Sequence, residues 1–141
     1  VRFLLKMLKR PKEEAQPPKS AFEIALERLL SLKENDLPSK GKTKEYYSIL
    51  SDIVRRYIEV RFTIRTPEMT TQEFLWFLNT SKHLMLEHKN LLKDFLTSCD
   101  MVKFAKYGPS LEEAENSFEL AKKFILETKE VAGPLPRKNG I

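Results

Sequence analysis

The chain has 141 residues, 41% of them apolar and 32% charged, with nine Phe and four Tyr. That length suits one domain with a hydrophobic core that needs no covalent staple, and the composition is not that of a disordered chain. A single cysteine, Cys99, excludes an internal disulfide framework and a cysteine-clustered zinc site, and only four glycines argue against Gly-rich phosphate loops and many-turned β architectures.

The net charge of +5 is unevenly spread. Residues 1–19 carry +4, through Arg2, Lys6, Lys9, Arg10, Lys12 and Lys19 against Glu13 and Glu14, and residues 131–141 carry +2. The stretch between them, 20–130, carries −1. A nucleic-acid-binding domain concentrates its bases on a structured face. Here the bases sit at the ends, which argues against such a face.

Residues 1–10 read VRFLLKMLKR, an apolar stretch threaded with bases. It is far shorter than the roughly 20 apolar residues that span a bilayer, and it lacks the small-residue cleavage site of a signal peptide. Pro11, Pro17 and Pro18 then mark a stiff, solvated linker, and the domain boundary is placed near Ser20. Ser20 and Glu23 form a capping box, followed at helical spacing by Phe22, Ala25, Leu26, Leu29 and Leu30, which predicts a first helix over about 20–34. After a connection containing Pro38 and Gly41, Tyr46, Leu50, Ile53, Val54, Tyr57 and Ile58 form a broad aromatic stripe. They predict a second, central helix over about 43–62.

Pro67 breaks the chain, and Thr70 with Glu73 caps a short third helix bearing Phe74, Leu75, Phe77 and Leu78. Residues 79–86 read as a loop or frayed turn. A fourth helix, about 87–106, places Leu91, Leu92, Phe95, Leu96, Cys99 and Val102 on one face, and Gly108-Pro109 is expected to end it. Ser110 and Glu113 cap a fifth helix, about 111–130, whose seam is Leu111, Ala114, Phe118, Ala121 and Ile125. No alternating strand pattern occurs. The expected fold is all-α: a compact bundle of about five helices with flexible basic N- and C-terminal ends, comprising a linker (1–19), the bundle (20–130) and a disordered tail (131–141).

The sequence offers little chemistry. His83 and His88 are five apart, a poor spacing for a metal, and read as two solvent-facing histidines. Cys99 lies on an apolar stripe and reads as a small buried hydrophobe. Glu112 and Glu113 sit in a first helical turn, where capping and the helix dipole account for acids. No Walker motif, dinucleotide fingerprint or nucleophile elbow is present, so no cofactor, metal or catalytic residue is assigned and no enzyme is expected.

Two charged residues fall within apolar arcs: Arg61 on the second helix and Lys103 on the fourth. Either their stems lie on the core while the charges snorkel outward, or Arg61 or its neighbour Arg56 pairs with Asp100 and pins the two helices together. Met101 and Phe104 on the fourth helix, and Leu120 and Phe124 on the fifth, point away from the main stripes. They read either as second buried faces of inner helices or as a docking patch. Trp76 is likewise either core filler or an interface anchor.

Ala25, Leu26 and Leu29, the run Tyr47-Ser-Ile-Leu-Ser-Asp-Ile-Val-Arg-Arg-Tyr-Ile-Glu-Val-Arg-Phe62, the segment Thr70-Thr-Gln-Glu-Phe-Leu75, and Leu92-Lys-Asp-Phe-Leu96 with Asp100-Met-Val-Lys-Phe-Ala105 form an ordered series. It resembles the cytosolic C-terminal region of BatD-like aerotolerance proteins, bacterial membrane proteins encoded beside MoxR-type AAA+ ATPases and von Willebrand factor A proteins. The resemblance covers about residues 20–130. It implies a non-enzymatic interaction module on the cytoplasmic face of the bacterial inner membrane, with such an ATPase and a von Willebrand factor A protein as partners. It also implies a transmembrane helix upstream of Val1, with the basic residues Arg2, Lys6, Lys9 and Arg10 next to an anionic membrane surface, as the positive-inside rule would place them. The family has no established active site, and its elements at Arg55, Arg56, Tyr57 and Asp100 are open to structural or binding roles. The alternative reading is a soluble helical protein whose basic ends associate with nucleic acid.

Overall fold

The computed structural model describes residues 18–63, 69–80 and 84–129. The expected tail and nearly all of the expected linker, with Arg2, Lys6, Lys9 and Arg10, lie outside the described residues, as does His83. Five α-helices form: α1 (Ala21–Asn35), α2 (Thr43–Arg61), α3 (Thr71–Asn79), α4 (Leu86–Phe104) and α5 (Leu111–Thr128), with one 3-10 turn at Pro38–Lys40. No strand occurs among the described residues.

Three helices start where the sequence places a capping box. The Ser20, Thr70 and Ser110 hydroxyls each accept from the backbone N–H three residues on, at 3.1 Å. The Glu23, Glu73 and Glu113 carboxylates reach back to the cap N–H at 2.8–3.0 Å. Each box satisfies two backbone donors that the helix itself leaves open. The ends follow a different rule from the one expected. α4 stops at Ala105, with Lys106 in the left-handed region (φ 58°) and the Tyr107 N–H folded back onto Met101 O at 3.2 Å. The chain has therefore already turned before Gly108-Pro109.

α1, α2, α4 and α5 close a ring in which each packs on the next, and α2 and α5 also meet across the middle. Side-chain pairs fix the directions. Lys33 over Phe118 and Lys129 over Phe22 make α1 and α5 antiparallel, Arg28 to Asp52 matches α1 running against α2, and His88 to Glu127 sets α4 against α5. This is an up-down-up-down four-helix bundle, with α3 inserted in the α2–α4 connection and packed outside, on α4.

The core is largely the predicted stripes. Tyr46, Leu50, Ile53, Val54, Tyr57 and Ile58 of α2 are buried, as are Leu92, Phe95, Leu96, Cys99 and Val102 of α4. Of the expected stripe residues, Phe22, Leu26, Leu75 and Leu91 are half-buried, and Leu30, Phe77 and Leu111 are exposed. Leu30 is exposed because the buried face of α1 runs through Ala21, Ala25, Leu29 and Leu32, and Leu111 is exposed in the first turn of α5.

Across the middle of the bundle, tyrosine hydroxyls of α2 tie into α5. Tyr47 shares a 3.0 Å hydrogen bond with Ser117 Oγ and reaches Glu113 O at 3.3 Å. Tyr57 lies 2.9 Å from Thr128 Oγ1, which itself donates to Phe124 O at 2.8 Å. Burial pushes the Tyr46 and Tyr47 hydroxyls above their usual range and the Cys99 thiol up to about 12, from an ordinary value of 9.0.

These shifts have a definite sign. Above about pH 9 the unfolded chain loses the Cys99 proton while the native state keeps it, so native stability falls as pH rises towards 12. The slope for this one thiol reaches about 1.4 kcal/mol per pH unit, and the tyrosines steepen it further up the scale. Urea melts are therefore expected to shift to lower midpoints between about pH 8 and 10.5, and a thiol reagent at neutral pH should label Cys99 only at the rate of unfolding. Rapid labelling of the native chain would refute the burial.

Candidate functional site

The polar residues singled out from the sequence are placed mostly in structural roles. Cys99 is fully buried, as part of the α4 stripe. His88 departs from the solvent-facing expectation. Its side chain is only 12% exposed, it lies edge-on to Phe124 (6.3 Å between ring centres), and its Nε2 lies 3.1 Å from Glu127 Oε1. The antiparallel pairing of α4 with α5 brings the start of one helix against the end of the other, which is what covers this ring. Glu113 is held by the backbone N–H of Ser110 and by the Tyr107 hydroxyl (2.7 Å), and both keep its carboxyl below the usual range. Glu113 therefore serves the start of α5. Among the described residues no three His, Cys, Asp or Glu side chains come together as a metal site would require, and no helix is long and apolar enough to cross a membrane.

The expected ion pair of Arg56 or Arg61 with Asp100 does not form. Arg56 turns to Asp52, one turn earlier on its own helix (3.5 Å), and Asp52 also accepts from Arg28 of α1 at 3.1 Å. Arg61 donates through Nε to the Thr128 carbonyl at 2.9 Å and so closes the C-terminus of α5, while its guanidinium lies over Phe62. Its head thus finds a backbone carbonyl and no carboxylate among the described residues. Lys103 behaves similarly, donating to Ser51 Oγ at 3.2 Å across the α2–α4 seam. Of the motif residues left open, Tyr57 is structural. So is Arg55, whose guanidinium covers the Phe74 ring (4.7 Å) and donates to Met69 O at 2.6 Å. Arg55 is the clamp that positions α3, and a helical wheel of α2 alone shows no partner for it.

The apolar candidates divide. Phe124 is 1% exposed and belongs to the core, edge-on to Tyr57. α5 packs on α1, α2 and α4, so its buried arc is wider than the single stripe read from the sequence. Met101, Phe104 and Leu120 are exposed. Met101 and Leu120 line a groove of about 400 Å³ between α4 and α5, together with Tyr107, Pro109 and Glu113. Phe104 lies beside Lys103 and is the most exposed large apolar residue of the described chain, at 75%.

Trp76 is 70% exposed. It is no core filler: Phe74 and Leu78 are the residues by which α3 is buried, Trp76 projects to the other side, and Phe77 lies at the edge of the buried face. Beside it runs a groove of about 360 Å³ between α3 and α4, with Leu75, Leu78 and Leu92 in its apolar lining and Lys89 and Lys93 on the α4 side. The tryptophan was identifiable in the sequence; the groove was not, because it exists only once α3 lies on α4. Its one sequence trace is the i, i+4 spacing of the two lysines. Comparison of the chain with known protein families, with curated proteins and with solved structures finds no match.

The charge geometry can be checked by a pair of substitutions. Asp52→Ala removes the shared acceptor of Arg28 and Arg56 and should cost about 0.5–1 kcal/mol, as expected for a half-exposed bridge. Asp100→Ala should change stability by less than about 0.5 kcal/mol in chemical denaturation. A large loss for Asp100→Ala alone would restore the interhelical pin and refute this placement.

Proposed function

We propose that this chain is a non-enzymatic helical protein-interaction module, acting on the cytoplasmic side of a bacterial membrane. It would couple a membrane-anchored protein to a MoxR-type ATPase and a von Willebrand factor A partner. The observation that carries the interaction reading is Trp76: a large aromatic that the fold does not bury, standing beside a concave apolar lining. Leaving an indole in water forgoes on the order of 2 kcal/mol of burial, and tryptophans so placed are over-represented among the residues that dominate binding. Met101, Phe104 and Leu120 add apolar surface elsewhere on α4 and α5.

The membrane setting and the identity of the partners rest on the resemblance of the 47–62, 70–75 and 92–105 segments to BatD-like proteins. In that setting Arg2, Lys6, Lys9 and Arg10 lie against anionic lipid, and the bundle stands off from the membrane on a proline-containing linker. The mechanism is differential docking: the bundle offers a preformed surface, and occupancy by a partner transmits the state of that partner to the anchor.

Titration of the full chain with a purified MoxR-type ATPase and a purified von Willebrand factor A protein tests this reading. At least one should bind, and Trp76→Ala should weaken binding about tenfold or more, roughly 1.4 kcal/mol. Because Trp76 is exposed, the melting temperature should stay within about 2 °C of the parent. Equal binding by Trp76→Ala overturns the role of this residue. Failure of both proteins, with salt-sensitive nucleic-acid binding that vanishes when 1–19 and 131–141 are removed, overturns the module in favour of a nucleic-acid protein.

A further inference from the structure

We infer that the α3–α4 groove receives an acidic, amphipathic helical segment of a partner protein. The inference rests on the interaction reading above and names the chemistry of what docks. The residues that line the groove are Leu75, Leu78, Leu92 and Trp76, the lysines Lys89 and Lys93, and the carboxamides Gln72, Asn79 and Asn90. Among the described residues lining it there is no carboxylate. The lining thus offers an apolar strip, two positive charges and amide donors, and no negative charge to be matched.

The two lysines are not equivalent. Lys89 donates to the Asn79 carbonyl at 2.9 Å, which fixes its ammonium at the C-terminal end of α3. That is where a cation is favoured by the helix dipole. Lys93, one turn further along α4, makes no ion pair or hydrogen bond among the described residues. One cation is therefore already placed and the second has no ion-pair or hydrogen-bond partner among the described residues, so an incoming carboxylate displaces no ion pair found there. A basic segment would meet uncompensated repulsion from both. The α4–α5 groove lacks this property, since its carboxylate, Glu113, is already bonded to Ser110 and Tyr107.

Shape sets the length and the apolar content of the occupant. α3 has nine residues, about 13 Å of helix, so it can accommodate two to three turns of a docked helix. Apolar residues at i, i+3 or i+4 and i+7 would lie against Leu75 and Trp76, over a floor formed by the buried Leu78 and Leu92, while acidic residues on the flank face Lys89 and Lys93. A flat anionic bilayer would supply the charge but leave the concave lining unfilled, which is why a helix is the better occupant.

Trp76 is the only tryptophan in the chain and is therefore its own reporter. The probe is a peptide of about 12 residues with leucines at i, i+4 and i+7 and glutamates elsewhere, compared with the same peptide carrying lysines for the glutamates. The acidic peptide should move Trp76 emission to shorter wavelength, and the lysine peptide should not. Lys93→Glu, which breaks no ion pair or hydrogen bond among the described residues, should weaken the acidic peptide about tenfold, and Lys89→Glu with Lys93→Glu should transfer the response to the lysine peptide. A response to the lysine peptide by the parent chain overturns the inference, as does a response to phosphatidylserine vesicles without one to the acidic peptide. So does acidic-peptide binding that is indifferent to both charge reversals. If the acidic peptide fails while Trp76→Ala still abolishes binding of the ATPase or von Willebrand factor A protein, this inference alone is lost. If that protein binding is indifferent to Trp76, the parent reading is lost with it.

Discussion

The bundle depends on the register between α2 and α5, two parallel helices that meet across its middle. α2 brings buried phenols to that seam, and a phenol hydroxyl can be buried cheaply only where it finds a partner. Tyr47 and Tyr57 are ten residues apart, which on a helix is about 15 Å of rise. Their partners Ser117 and Thr128 are eleven apart on α5, nearly the same distance. The two hydroxyls therefore act as matched pins at either end of one seam. Sliding α5 by a residue would leave both unsatisfied, at a cost of about 1–3 kcal/mol each. Arg61 adds a third pin by closing on the Thr128 carbonyl, where α5 would otherwise end with an open acceptor.

With α2 and α5 fixed, α1 and α4 fill the two remaining sides and the ring is complete. α3 is left outside. Nine residues form a marginal helix on their own, so its stability comes from the Thr70–Glu73 box, from burial of Phe74 and Leu78, and from the Arg55 clamp on Phe74 and Met69. That arrangement uses one face of α3 completely and leaves the opposite face with no intramolecular task. The exposure of Trp76 follows from this geometry. The choice of tryptophan there does not, since any polar residue would serve the fold equally well.

What was legible in the sequence was local. Capping boxes at Ser20, Thr70 and Ser110 act within four residues, and stripes such as Tyr46 to Ile58 need only the helical period, so both could be read without knowing the fold. What failed required knowing which helix faces which. Asp100 looks from the sequence like a partner of Arg56 or Arg61 that would pin two helices together, but Asp52 competes from one turn away and carries Arg28 with it. Phe124 looked off-stripe because a seam of steps three and four describes one neighbour, whereas α5 has three. His88 looked exposed because its cover, Phe124 and Glu127, is 36 and 39 residues further along. The α3–α4 groove was invisible for the same reason: its two walls are joined by a connection whose path no periodicity constrains.

The contrast between the two grooves separates polarity that holds the fold together from polarity that remains available. At the α4–α5 groove the ionisable lining group, Glu113, accepts from the Ser110 N–H and from Tyr107, and these bonds draw its carboxyl below the usual range. Removing it would open the first turn of α5. At the α3–α4 groove the order is reversed. Lys89 has a light structural duty at the end of α3, and Lys93 has none among the described residues. A side chain with no internal partner costs the fold little to lose and can therefore be altered without unfolding the chain. When such a lysine sits with an unburied tryptophan on a concavity that is part apolar, part amide and without a carboxylate, folding accounts for neither residue, and recognition of an anionic, apolar partner accounts for both.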